Sequence, residues 1–351
     1  MTAQDLRSFV AAYREAHPSE VVSVGEAVSA DYDVMAVVLE YERRRRWPIL
    51  FFERVVGHDM PIVANVVASR RALAFALGVD ERALAAEYAR RLKEAIKPVV
   101  VSDVAFRERL VTGDQVDLGA LPVPLYFPGD AGRYLTAGML VARDPETGVE
   151  TEGYHRFQVK SRNRMGVSLH SRRRMFEYHR RAEEAGRPLE VAVVLGVPPA
   201  VSLGSIAFPP ADAGKFGVIG GLLGEPLEVA RCRTVDLDVP RWAEIVVEGH
   251  VLHDEREKEG PFGEFTGYAS TRGTENILVP TAIQHSRGAI YQSHNAGLSL
   301  EHCMFLALPR EVMVSQVLRR TIPNLTAVRV PIRSECGSLH VYVSLRKTAE
   351  A

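Results

Sequence analysis

The segment Glu259-Gly260-Pro261-Phe262-Gly263-Glu264 sets two carboxylates at the ends of a turn-forming tetrapeptide. Glycine supplies backbone that other residues resist, and proline stiffens it. Such a turn is expected to hold two acids close together in a fixed geometry. Neighbouring carboxylates resist ionising together, so one is pushed up toward neutral pH and becomes a proton donor. The plain alternative is a tight hairpin with solvated acids at its ends. Arg156 is the second residue of interest. It falls in residues 154–160, which alternate as a strand does. A guanidinium inside a strand is expected to fork onto a carboxylate, from Glu259 or from a substrate. An exposed strand position explains it equally when it is taken alone.

The elements that must position these groups follow from periodicity. Residues 49–52 form a short apolar run, read as a buried strand. Asp80 is expected to cap a helix in which Leu84, Tyr88, Leu92 and Ile96 recur at i+4, with Glu87 and Arg91 as a supporting pair, and Pro98 stops it. Residues 1–97 therefore read as a small α/β domain. Strand signals then recur at residues 99–104, 191–197, 244–251 and 277–283, among Gly/Pro turns. One helix is expected over residues 173–185, ending at Gly186. This pattern predicts a barrel-like β domain over about 98–300. A helix over 309–319 and a strand over 339–345 follow. That strand is expected to pair with chain beyond the C-terminus, so residues 301–351 read as a linker and the start of a shortened C-terminal region. The fold class expected is α+β.

Composition narrows the function. The chain has 351 residues, more than one ordinary core, and a formal net charge of -1, which gives no footprint for nucleic acid. Its three cysteines form no CxxC pair, which argues against a disulfide scaffold and for a reducing compartment. No apolar run reaches the length of a membrane span and no signal peptide is read, so a cytoplasmic location is expected. His250 and His253, three apart on and after a strand, face opposite sides and are not read as sharing a metal. His294 and His302 fall in or beside a Gly/Asn-containing segment, and their sequence does not decide their role.

Taken together these segments resemble the UbiD family of decarboxylases along nearly the whole chain. Residues 47–52, 61–65 and 69–71 are similar to the family's N-terminal domain, and residues 121–124 and 130–134 to its approach to the flavin site. Gly153-Tyr154-His155-Arg156 resembles its Gly-x-Tyr-Arg region. Residues 259–264, with Phe265-Thr266-Gly267-Tyr268 after them, carry its most specific signature. The resemblance implies a split β-barrel that binds prenylated FMN, a flavin prenyltransferase as supplier of that cofactor, and a homodimer or larger homo-oligomer. It implies a non-oxidative, reversible decarboxylase of an aromatic, heteroaromatic or α,β-unsaturated acid. Arg156 would orient the substrate carboxylate and pair with Glu259, and Glu264 would deliver the proton after CO2 leaves. Thr151, Gly153, Tyr154, His155, Arg156, Arg173, Arg174, Ser205 and Lys215 would line the cofactor.

The sequence departs from the family at the metal clamp. There an asparagine, a histidine and a glutamate hold a divalent metal, usually manganese, with potassium beside it. The corresponding positions are Thr151, Arg174 and Lys215 or Phe216. The expectation is that no metal is held and that Arg174 and Lys215 neutralise the phosphate directly. The alternative takes His170 as the histidine and Glu225 or Glu228 as the acid. Two rival functions stay open on sequence: an inactive partner subunit, and an ordinary FMN-binding reductase.

Overall fold

The computed structural model describes residues 4–169, 173–270, 273–295, 297, 299–332 and 339–347. It mixes α and β elements, as the α+β reading requires. The N-terminal helix Leu6–Ala16 starts at Asp5, whose side chain accepts from Ser8 N at 2.7 Å. It lies beside a four-stranded sheet in the order Val21–Val28, Ile49–Val55, Ile62–Ala64, Tyr291–Gln292. The last of these strands comes from far along the chain and pairs in parallel with Ile62–Ala64. The helix predicted after Asp80 spans Leu84–Arg91, with Ala83 at its start. Asp80 instead accepts from Arg82 N in the preceding turn. The Glu87–Arg91 pair forms at 2.6 Å.

The middle of the chain builds a nine-stranded antiparallel sheet. Its order is Tyr134–Leu135, Phe157–Ser161, Arg164–Val167, Thr274–His285, Ile245–Lys258, Leu189–Leu195, Met139–Arg143, Glu150–Tyr154, and Arg109–Thr112 also pairs with Thr274–His285. No ladder among the described residues closes this sheet into the barrel expected from the sequence. Its two ends are joined covalently instead. Residues 136–138 lead from the first strand to the seventh, and His155-Arg156 lead from the eighth to the second. His155 N bonds Gly138 O at 3.2 Å across this seam. A Cβ on Gly138 would sit 2.5 Å from the Phe157 ring and 2.8 Å from Val193, so only glycine lets the links approach.

The seam corrects one expectation. Arg156 is not inside a strand. The strand predicted over residues 154–160 is broken at His155-Arg156. The residue leaves the hydrogen-bonded ladder where the sheet ends meet, which frees its side chain to point away from the pleat.

Helix Arg174–Glu184 matches its predicted position and buries Met175, Tyr178, His179 and Ala182. Helices Pro199–Ser205 and Lys215–Leu223 contribute Val201, Leu203, Ile219 and Leu222 to the apolar cluster on the other side, with Met139, Val141, Ala192 and Val194 of the sheet. The last helix, Leu300–Leu318, starts nine residues before the predicted one and carries Pro309 inside it. Strand Tyr342–Leu345 pairs with Leu325–Arg329. His253 lies in the same long strand as His250, Ile245–Lys258. Cys232 and Cys303 are buried and free, and Cys336 lies outside the described residues.

Candidate active site

The turn at residues 259–264 is pinned from two directions. Gly260 has φ of 88°, a conformation that favours glycine, and precedes Pro261. Asp130 accepts from Gly263 N at 3.2 Å and from Phe127 N at 3.0 Å, while Ala131 N bonds Pro261 O at 2.8 Å. Phe262-Gly263 then pairs with Ala269-Ser270 in a two-stranded ribbon. Gly/Pro-rich residues 118–134 thus act as a brace for the acidic turn.

This turn and the seam meet at Arg156. Its Nη2 lies 2.8 Å from Glu259, and its Nη1 bonds Glu264. Glu259 is 0% exposed and Glu264 24%, so one acid is sealed and the other faces the cavity. Burial works against the Arg156 charge, but the hydrogen bond and charge of Glu259, with Glu264 beside it, hold its pKa above the ordinary value. The guanidinium carbon lies 5.5 Å from the centroid of Phe262. Arg156 Nε is buried and has no protein partner among the described residues. The arginine therefore forks onto both acids at once, which the sequence left open between Glu259 and a substrate.

A cavity of about 1090 Å³ opens beside this network. Glu264 and Arg156 form part of its wall, whereas Glu259 stands behind Arg156. All the positions assigned to the cofactor from sequence line it: Thr151, Gly153, Tyr154 and His155 from the sheet end, Arg173 and Arg174 at the start of helix Arg174–Glu184, Ser205, and Lys215. Tyr154 donates or accepts to Ser202 Oγ at 2.8 Å and stacks on His294 with centroids 4.8 Å apart. His155 Nδ1 lies 3.0 Å from Ser168 O. Ser205 spends its hydroxyl on Ser202 O, 2.8 Å away, and offers its carbonyl to Lys215.

The charged residues of the wall are unequal in number, with five cations (Arg156, Arg173, Arg174, Lys215, Arg310) against Glu152 and Glu264. That excess suits an anionic ligand. Lys215 opens helix Lys215–Leu223, and its Nζ donates to the carbonyls of Glu152 at 2.5 Å and Ser205 at 2.6 Å. Burial pushes the Lys215 pKa down and that of Glu152 up, each held back by the other's charge. Arg174 bonds the carbonyls of Ala213 at 2.8 Å and Pro209 at 2.6 Å, and also that of Pro210. Its donors thus hold the loop before Lys215, a role the sequence reading does not foresee. Burial lowers the Arg173 pKa, and its guanidinium lies 5.5 Å from the Phe208 ring.

Several wall residues carry no assignment from sequence. Glu152 is fully buried and both its carboxylate oxygens lack a hydrogen-bond partner among the described residues. The i, i+2 acids Glu150 and Glu152 in a strand are the available signal. His294 and His302, left undecided by sequence, both line the cavity. Burial pushes His294 down to about 3, so it stays neutral, and burial also lowers His302. Arg310 lies inside the helix predicted over 309–319 and carries no local signal there that marks it as a wall residue. The alternative metal acids are elsewhere. Glu225 accepts from Gln4, and Glu228 pairs with Trp242 and Arg241. His170 lies outside the described residues. Among the described residues no group of three or more His, Cys, Asp or Glu gathers as a metal site, His250 and His253 included.

The profile of the 3-octaprenyl-4-hydroxybenzoate carboxy-lyase Rift-related domain (UbiD) matches residues 98–298, and that of the corresponding N-terminal domain matches residues 15–92. The chain belongs to the UbiD family. It is a carboxy-lyase. It is 30% identical over 332 residues to anhydromevalonate phosphate decarboxylase of Methanothermobacter thermautotrophicus, covering 94% of this chain and 75% of that one. Its structure is similar to an evolved dimeric form of the UbiD-class enzyme HmfF from Pelotomaculum thermopropionicum in complex with prFMN. That match has a TM-score of 0.93 and 32% identity, over 99% of this chain and 80% of the other. It is also similar to vanillic acid decarboxylase of Sedimentibacter hydroxybenzoicus in closed form, with a TM-score of 0.90 and 26% identity, over 99% of this chain and 75% of the other. Membership removes the reductase rival. No helix among the described residues is long and apolar enough to cross a membrane.

Proposed function

We propose that this UbiD-family carboxy-lyase removes CO2 from an aromatic, heteroaromatic or α,β-unsaturated acid on prenylated FMN in a split-barrel domain. The observation that carries this reading is Arg156 clasped between Glu259 and Glu264 at the wall of a large cavity. The residues fit a flavin. The cavity has the size of a cofactor site, aromatic Tyr154 stacks on neutral His294 at its wall, and the cations of that wall outnumber its acids. When bound, prenylated FMN supplies an electron-accepting partner for the substrate double bond.

The remaining work belongs to side chains. Arg156 orients the substrate carboxylate through Nε, while Glu259 fixes the guanidinium from behind. The bond from the substrate carbon to its carboxylate breaks, CO2 departs, and the electron pair stays on carbon. Protonated Glu264 gives its proton to that carbon and is reprotonated from solvent. The low exposure of the network keeps water from competing and strengthens the fixed charges. Run backward, the same steps add CO2. The chain depends on a flavin prenyltransferase for its cofactor and assembles as a homodimer or larger homo-oligomer, in line with the dimeric form of the HmfF neighbour.

The test is to co-express the chain with a flavin prenyltransferase, purify it without oxygen, and determine the mass of the released cofactor. The preparation is then assayed for CO2 release on a panel of aromatic, furan-type and acrylic acids. Prenylated FMN in stoichiometric amount with CO2 release on at least one class supports the reading. Plain FMN in a preparation that releases no CO2 counts against it.

A further inference from the structure

The family resemblance implies a clamp for the cofactor phosphate made of an asparagine, a histidine and a glutamate around a divalent cation. The resemblance puts Thr151, Arg174 and Lys215 or Phe216 at those positions, and Thr151, Arg174 and Lys215 line the cavity. A charged guanidinium and a charged ammonium have no lone pair to give a metal. Hard divalent cations need several oxygen or nitrogen donors. Thr151, Arg174 and Lys215 therefore do not fit the metal.

Lys215 is instead placed as a bound cation would be. Its Nζ rests against two main-chain carbonyls from separate elements, Glu152 O in strand Glu150–Tyr154 and Ser205 O at the end of helix Pro199–Ser205. An ammonium has three donors, so one remains for the cavity. Arg174 makes this placement rigid by holding the carbonyls of residues 209, 210 and 213, the loop that delivers Lys215 to its helix. Beside it the Glu152 carboxylate is fully buried on the same wall with neither oxygen bonded among the described residues. When ionised it acts on Lys215 through space and takes up none of the ammonium's donors. A buried ammonium without a counter-charge is costly, and Glu152 supplies one.

We propose that Lys215 is a tethered cation that takes the place of the divalent metal beside the flavin phosphate, with Glu152 as its counter-charge. This deepens the flavin-site reading above and rests on it. Two consequences separate it from a metal-held site. Affinity for a phosphate-bearing flavin is independent of metal, and Glu152, carrying the sign of the phosphate, opposes that affinity.

The experiment titrates FMN and riboflavin into flavin-free protein, stripped with EDTA and checked by elemental analysis, following flavin fluorescence. Riboflavin lacks the phosphate and reports the rest of the site. We expect FMN affinity to be the same in EDTA and in added Mn2+. Lys215→Gln lowers FMN affinity roughly 10–100-fold, the loss of one hydrogen bond to a charged group, with riboflavin affinity unchanged. Glu152→Gln raises FMN affinity relative to riboflavin. FMN binding that EDTA abolishes and Mn2+ restores would overturn the inference. So would an equal loss of FMN and riboflavin in Lys215→Gln, or weaker FMN binding in Glu152→Gln, which would mark Glu152 as a cation ligand. FMN binding with this pattern but no CO2 release on any acid would leave the inference standing and count against the proposed reaction. Absence of any flavin binding overturns both.

Discussion

Two charge clusters share one cavity wall and are built on opposite plans. In the cluster at the sheet seam, Arg156 is bonded to both Glu259 and Glu264, so each charge meets another within hydrogen-bond range. In the cluster at the start of helix Lys215–Leu223, Lys215 bonds carbonyls, and the Glu152 carboxylate bonds nothing among the described residues. The first has each charge paired with an opposite one, leaving Arg156 Nε and Glu259 Oε1 unbonded among the described residues, and this pairing is set in advance, which is what orientation of a reacting group requires. The second is balanced only through space, and its remaining hydrogen-bonding capacity points to a partner that arrives. The difference teaches that charges paired by direct hydrogen bonds fix the geometry of a site, whereas charges balanced only through space leave more of their capacity to a ligand.

The comparison is broken most severely at Arg156. Arg156→Met strands Glu259, at 0% exposure, without its cation. Removing one partner of a buried pair costs about 3–5 kcal/mol, and a urea titration should show a loss of that size together with loss of turnover. An unchanged midpoint would mean that Glu259 does not need the arginine.

Glu301 offers a buried carboxylate of a third kind, one that accepts from Asn295 N at 2.9 Å and Asn295 Nδ2 at 3.0 Å yet is pushed up to about 7 by burial. Its folded pKa lies above its unfolded value, so the folded state holds the proton more tightly. Its contribution is fully present below the unfolded pKa and is lost as pH rises through about 7. The change is on the order of 3 kcal/mol. Stability measured from about pH 4 to 8 should fall across that window, and the fall should be smaller in Glu301→Gln. A parallel pH profile for the variant would assign the dependence to other groups.

The smallest effects sharpen the contrast directly. Glu259→Gln alters a bonded charge and should cost about 1.5–3 kcal/mol. Glu152→Gln removes no hydrogen bond among the described residues and should cost less than Glu259→Gln in flavin-free protein, because the lost counter-charge of Lys215 is offset by relief of a buried, unbonded carboxylate. Equal costs in parallel denaturation curves would erase the distinction between the two plans.

The seam cluster is the more legible in sequence, for a physical reason. Its acids flank a Gly-Pro-Phe-Gly turn whose backbone demands are local, so residue types announce the geometry. Arg156 is found through its neighbours in sequence but misplaced inside a strand, because residues 154–160 alternate straight through the break that tertiary structure imposes at His155-Arg156. Glu152 goes unnoticed because its importance comes from Lys215, 63 residues away. Lys215 itself shows only as a departure from a pattern. The open sheet with joined ends is likewise out of reach, since strand signals give no pairing order. The same limit applies to Tyr342–Leu345, a strand whose existence is legible but whose partner is not. Leu325–Arg329 is a short segment of five residues and gives little alternation of its own, and pairing with Tyr342–Leu345 completes it as a strand.

The central claim is that Glu264 carries the proton for a decarboxylation prepared by Arg156 and Glu259. The measurement that tests it most directly compares CO2 release by wild type and Glu264→Gln, both loaded with prenylated FMN to the same measured stoichiometry. The account predicts that the variant keeps the cofactor and loses turnover by roughly 10²–10⁴-fold, the scale of general acid catalysis. A variant that holds the cofactor and releases CO2 at the wild-type rate would contradict it.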